Sequence, residues 1–197
     1  VRKQSVIHPW WLRLTHWLNA IAVIIMVMSG WRIYNATTFL GFHIPNQITL
    51  GGWLGGALQW HFAAMWLLGI NGLIYLITNI ITHRLFSKFF PLSPREIFHD
   101  FLSALKGKLS HSDPQKYNGV QKLAYLFVIV DITLLIASGL VLWKSVQFPV
   151  LRDLLFGYEG ARLIHFGAMT ALVGFFIVHI IMVALVPHTL ITMIRGR

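Results

Sequence analysis

The chain of 197 residues contains no cysteine. That absence excludes thiolate-held iron–sulfur clusters, covalent c-type haem attachment and disulfides. Charge is scarce as well: 11% of residues are Asp, Glu, Lys or Arg, while 56% are hydrophobic. Soluble domains carry about 25% charged residues, so a water-soluble core is excluded. Acidic residues number six against sixteen Lys and Arg, a net charge of +10. The basic residues fall between apolar runs rather than on one soluble face, so no nucleic-acid partner is expected. They read as topology signals and lipid-facing charge. No cleavable leader pattern is visible either. The first apolar run is flanked by aromatics without small residues at a cleavage position, so it is expected to be retained.

What is present is a set of four apolar runs, at residues 14–34, 57–81, 120–143 and 161–186. Each is long enough to cross a bilayer. The expected fold class is all-α: a four-transmembrane-helix bundle, forming a single integral membrane domain over residues 1–197. Tryptophans 10, 11, 17, 31, 53, 60 and 143 mark the interfaces. The first connection holds Pro45, Gly51, Gly52, Gly55 and Gly56, which favour turns. The second, residues 82–119, is long and polar, and the pattern predicts a short surface helix near residues 94–106. The third contains the half-apolar run 150–156. Twelve of the sixteen basic residues lie at the termini or in and around the second connection. Four (Arg32, Lys144, Arg152 and Arg162) lie in the first and third. This asymmetry predicts that both termini are cytoplasmic, in the inner membrane of a bacterium.

His165 and His179 are fourteen residues apart with no charge between them. Fourteen helical steps return to nearly the same face about 21 Å along the axis. Ionisable groups at membrane depth are costly and mark function. Topology sorts four histidines into two levels. His16 opens the first helix on the cytoplasmic side and His61 opens the second on the outer side. His165 is outer and His179 inner on the fourth. Pairing by depth joins His16 with His179 and His61 with His165, each pair clamping one haem iron through neutral imidazoles. His8, His43, His83, His99, His111 and His188 are assigned to loops and interfaces.

Arg13 and Arg162 each precede a histidine by three residues, one turn nearer the membrane surface. Each is placed to pair with a haem propionate, or simply to snorkel to the interface. Gly30 lies fourteen residues after His16, at the depth of the outer haem. Ser29-Gly30 recurs as Ser138-Gly139 in the third helix. The glycines admit two readings: room for a porphyrin, or close packing of helices through small residues. Asp131 stands alone in an apolar run, with proton handling and a static hydrogen bond as its two readings.

The stretches Arg13-Leu-Thr-His16-Trp17-Leu-Asn19, Trp60-His61-Phe62 and Lys116-Tyr-Asn118-Gly-Val-Gln121-Lys122, with His165 and His179, resemble the prokaryotic di-haem cytochrome b family. That family includes the cytochrome b subunits of nickel–iron hydrogenases and formate dehydrogenases, and bacterial cytochrome b561. The nearest likeness is to the thiosulfate reductase cytochrome b-like subunits that accompany periplasmic molybdopterin oxidoreductases. The resemblance spans all four helices. It implies two b-type haems held by His16, His61, His165 and His179, and exchange of electrons with membrane quinone. Asn118 and Gln121 match a quinone-site region at the start of the third helix, where Asn118 and Gly119 also suit a loop and helix start.

The function so implied is that of an electron-transfer subunit of a quinone-linked oxidoreductase complex. It would pass electrons between a periplasmic redox partner, molybdopterin-dependent rather than a hydrogenase, and the quinone pool. The apolar outer residues Phe42, Ile44, Leu50, Trp53 and Phe148 suit a partner interface or contact with interfacial lipid. The alternative is a stand-alone cytochrome b561-type superoxide:quinone oxidoreductase, with Lys144, Arg152 and Arg162 attracting the anion. A haem-free anchor or carrier is the third reading.

Overall fold

Pro9 is extended (φ −62°, ψ 153°), and its carbonyl accepts the amides of Leu12 and Arg13 at 3.1 and 3.3 Å. The first helix therefore begins at Trp10, four residues before the apolar run predicts. The computed structural model describes residues 8–82, 102 and 119–196. Among them are helices α1 (Trp10–Ala36), α2 (Leu54–Ile81), α3 (Gly119–Lys144), α4 (Pro149–Leu154), α5 (Gly157–Leu185) and α6 (Pro187–Arg195), and no strand. The short helix expected at residues 94–106 lies outside the described residues, apart from Leu102, which is helical.

Helices α1, α2, α3 and α5 are long and apolar enough to cross a membrane. At 27, 28, 26 and 29 residues they exceed the roughly 20 residues that span the hydrocarbon core. The extra turns carry the helix ends past the apolar runs, so the observed bounds are wider than those expected by up to four residues. Helix α5 ends one residue earlier, at Leu185, because Pro187 opens α6.

The chain divides into two compact units. The first contains α1, α2 and α6. Its two long helices are antiparallel: His61, early in α2, bonds Ser29, late in α1, whereas Asn71 reaches back to Thr15 near the start of α1. The seam repeats every seven residues. Thr15, Ala22 and Ser29 are buried on α1, and Ala57, Ala64 and Asn71 on α2. Small side chains let two backbones approach closely, which matters in lipid, where no hydrophobic force drives helices together. Asn71 Nδ2 donates to the Thr15 carbonyl at 2.7 Å and to Asn19 Oδ1 at 2.6 Å.

The connection between α1 and α2 folds back on the end of α1. Tyr34 donates to the Phe42 carbonyl at 2.9 Å, and Asn35 makes a two-bond clamp with the backbone of Ile44. Arg32 donates to Asn46 and to the Gly52 carbonyl. Gly51 has φ 108°, and a Cβ there would meet Ala57 N at 2.4 Å, so no larger residue fits. These bonds frame a cleft of about 630 Å³ lined by Arg32, Asn35, Asn46 and Trp53, among others.

The second unit contains α3, α4 and α5. Here too the long helices are antiparallel: Ser138, late in α3, bonds His165, early in α5, and Phe127, early in α3, meets Phe175, late in α5. Asp131, Ser138 and Val141 are buried on α3, with Ala161, Ala168 and Leu172 on α5. Pro149 opens α4 at its first turn, where the missing amide costs nothing. Phe156 (φ 61°) and Gly157 (φ 79°) then reverse the chain into α5.

Candidate functional site

Each hairpin carries histidines at both of its ends. In the first unit His61 lies at the Ser29 end, and His16 lies beside Thr15 at the Asn71 end. In the second, His165 lies at the Ser138 end, while His179 lies with Phe175 at the opposite end. His16, His61 and His165 are half-buried and His179 is exposed.

The two Ser–His pairs share one geometry. Ser29 Oγ lies 2.6 Å from the Ile25 carbonyl and 3.0 Å from His61 Nδ1. Ser138 Oγ lies 2.6 Å from the Leu134 carbonyl and 3.0 Å from His165 Nδ1. A hydroxyl has one proton to give, and the carbonyl one turn earlier takes it at the shorter distance. Toward the imidazole the oxygen therefore accepts, and the ring proton resides on Nδ1. The Met26 carbonyl, 3.1 Å from His61 Nδ1, can only accept and demands the same tautomer. A neutral imidazole protonated at Nδ1 carries its lone pair on Nε2, the form that ligates a metal.

Gly30 and Gly139 complete each arrangement. A Cβ on Gly30 would lie 3.5 Å from His61 Cε1, and one on Gly139 would lie 3.3 Å from His165 Cε1. The space each glycine leaves is thus taken by an imidazole ring.

At the other ends the contacts are aromatic. His179 stacks on Phe175, with centroids 6.0 Å apart and planes inclined by 19°. Phe127 packs in turn on Phe175 at 5.7 Å. The edge of Trp17 meets His16 at 5.5 Å and 78°.

The arginines differ. Arg13 donates from Nη1 to the Ile194 carbonyl at the end of α6, and its Nε is buried with no hydrogen-bond partner among the described residues. Arg162 lies 3.4 Å from Glu159, one turn earlier on α5. Arg152 pairs with Asp153 at 3.1 Å, and Lys144 lies over the Trp143 ring. Two of the three cations expected to attract superoxide thus have acidic neighbours that reduce their field.

Asp131 is buried in α3, and its Oδ2 has no hydrogen-bond partner among the described residues. Of its two readings, the static hydrogen bond is not seen among the described residues. Gln121 is half-buried at the start of α3. Asn118 lies outside the described residues.

This donor set fits a b-type haem. Such a group takes neutral imidazole nitrogens on its iron and cations near its propionates. His61 and His165 are held in the ligating tautomer, and Arg13 keeps a buried N–H without an acceptor among the described residues. Sequence reasoning did not anticipate the serine–histidine bonds or the Arg13–Ile194 bond. The recurrence of Ser-Gly in α1 and α3 was the one visible signal for the former.

The chain matches the family model described as prokaryotic cytochrome b561 over residues 7–196. It is 68% identical to a protein of Azospira oryzae named putative protein-methionine-sulfoxide reductase subunit YedZ1, over 97% of this chain and 96% of that one. It is 23% identical to the cytochrome b556(fdo) subunit of formate dehydrogenase of Escherichia coli K12, over 93% of this chain and 81% of the relative. No solved structure matches. With four helices long and apolar enough to cross a membrane, the chain belongs to the prokaryotic cytochrome b561 family of multi-pass electron-transfer cytochromes.

Proposed function

We propose that the chain is the quinol-oxidising membrane subunit of a two-component reductase in the bacterial inner membrane, with both termini cytoplasmic. It carries two b-type haems, one held by His61 and His165 toward the outer face, the other by His16 and His179 toward the cytoplasm. When bound, the haems supply one-electron carriers across a dry path. Arg13 and Arg162 neutralise propionates, and Asn118 and Gln121 hydrogen-bond the quinone near the inner level. The single observation that carries this reading is the Ser–His unit found in both hairpins, which presents an imidazole in the iron-ligating tautomer.

The name of the Azospira relative supports a catalytic partner that reduces methionine sulfoxide in proteins. The resemblance to thiosulfate reductase cytochrome b-like subunits supports a periplasmic, molybdopterin-dependent partner. Direction follows from the chemistry. Quinol gives up two electrons and two protons; methionine sulfoxide takes up the same and yields methionine and water. Electrons then flow from quinol outward to the partner. The first connection supplies a docking surface: Trp53 is 69% exposed, with Leu40, Phe42 and Ile48 exposed beside it, on a loop held by the Arg32, Tyr34 and Asn35 bonds.

The test is purification of the full chain in mild detergent, with its neighbours. The expected outcome is a low-spin b-type α-band, reduced by a quinol analogue, and a co-purifying periplasmic subunit that re-oxidises it when methionine sulfoxide is added. Asn118→Ala and Gln121→Ala should slow reduction by quinol while haem content holds. A preparation without an α-band would overturn the reading.

A further inference from the structure

Resting on the haem assignment above, we propose that Ser29 and Ser138 are positioning residues that jointly set the potential of one haem. Each accepts the Nδ1–H of a histidine, His61 or His165, that would ligate that haem.

The geometry has three parts in each hairpin. The serine hydroxyl is anchored by donation to the carbonyl four residues earlier, Ile25 or Leu134, at 2.6 Å. Its oxygen then faces Nδ1 of the histidine at 3.0 Å. The glycine that follows the serine keeps the backbone clear beside the same ring: a Cβ would lie 3.5 Å from His61 Cε1 on Gly30 and 3.3 Å from His165 Cε1 on Gly139. Two adjacent residues of one helix therefore fix the tautomer and the position of a ring on the next helix. The same device stands in α1 and in α3, facing the histidine near the start of α2 and of α5.

A hydroxyl that merely satisfies itself on its own helix needs only the carbonyl bond. The second contact, at hydrogen-bond distance from a ring nitrogen in both hairpins, goes beyond that. An acceptor on Nδ1–H raises the basicity of Nε2 and strengthens its bond to iron, which favours the ferric state and depresses the midpoint potential. A serine oxygen is neutral, so it does this without placing a carboxylate at membrane depth, where charge is costly. Because His61 and His165 belong to one haem in the depth pairing, both serines act on the same iron.

The test is a redox titration of the two haem α-bands in the purified full chain, with low-spin ferric EPR, for Ser29→Ala, Ser138→Ala, the double variant, and Ser29→Thr and Ser138→Thr. Alanine keeps the helix and removes the acceptor. Each alanine variant is expected to shift the one-electron equilibrium of the same haem toward the reduced state by about tenfold, which is about 59 mV. The double variant should shift it further, with the other haem unchanged. The threonine variants, which keep the oxygen, should titrate as wild type. Loss of that one haem from the alanine variants, with both haems present in the threonine variants, also supports the role. Unchanged potentials and EPR signals, or threonine variants that shift as much as alanine, would overturn it. If Ser29→Ala shifted one haem and Ser138→Ala the other, the joint action would be wrong, and the depth pairing would fail with it. A wild-type preparation without two α-bands would instead reject the haem assignment itself.

Discussion

Arg13, in the first turn of α1, donates a hydrogen bond to the carbonyl of Ile194 in the last turn of α6, 181 residues away. The last carbonyls of a helix have no partner within it, and a cation there is favoured by the helix dipole. Gly196 ends α6 with φ 85°, and a Cβ on it would come within 3.2 Å of Arg13 Cζ, so a small residue leaves the guanidinium room. Arg13 thus ties the C-terminal helix to α1, while its Nε–H has no acceptor among the described residues.

Replacing Arg13 with leucine should release α6. The expected cost is about 1–2 kcal/mol, read as faster amide hydrogen exchange across Pro187–Arg195 relative to α1. Unchanged protection of that helix would show that its docking depends on other contacts.

Asn71 offers a second check inside the first hairpin. Its Nδ2 bonds Thr15 and Asn19 on α1 at 2.7 and 2.6 Å, next to His16. Side-chain hydrogen bonds in membranes average about 0.6 kcal/mol and reach about 1.7. Asn71→Leu is therefore expected to lower hairpin stability by about 1 kcal/mol, measured by thermal or denaturant unfolding in detergent. A loss several times larger would mean that the amide does more than join two helices.

The helices could be read from the apolar runs, because a span needs length and hydropathy and little else. Their ends could not. Trp10–Arg13 and Gly157–Gly160 lie outside the apolar runs, yet Pro9 and the left-handed pair Phe156 and Gly157 set the starts there. Helix α6 went unread, although Pro187 and Gly196 bracket it. The four histidines stood out by the spacing of His165 and His179, by depth and by the family resemblance. The serine partners did not, because Ser29 meets His61 across 32 residues and Ser138 meets His165 across 27. Such pairs depend on the register between antiparallel helices, which the heptad seam of small residues fixes only after folding. Arg13 shows the same limit: its spacing from His16 pointed to a propionate, and nothing local pointed to a carbonyl at the far end of the chain.

The two glycines should differ in tolerance. An alanine methyl at position 30 would make ordinary contact with His61 at 3.5 Å, whereas one at position 139 would crowd His165 at 3.3 Å. Gly30→Ala is expected to keep full haem content. Gly139→Ala should displace the ring by a few tenths of an ångström and broaden or shift the EPR signal of one haem. The reverse order would mean that the glycines serve a neighbour other than these rings.

Asp131 lies seven residues before Ser138, as Ala22 lies seven before Ser29, and both are buried. A buried carboxyl oxygen without a partner costs free energy that an apolar side chain does not. Asp131→Ala should therefore hold or raise stability, by about 1–3 kcal/mol, with haem content unchanged. Loss of stability or of a haem would reveal a partner for the carboxyl.

The most direct measurement is the haem-to-protein ratio, by pyridine haemochrome, in histidine double variants of the full chain. Wild type should hold two haems. His61→Ala with His165→Ala should hold one, and so should His16→Ala with His179→Ala, because each double removes both ligands of a single iron. His61→Ala with His179→Ala should hold none. Equal haem content in all three doubles, or no haem in the wild-type chain, would contradict two layered bis-histidine sites.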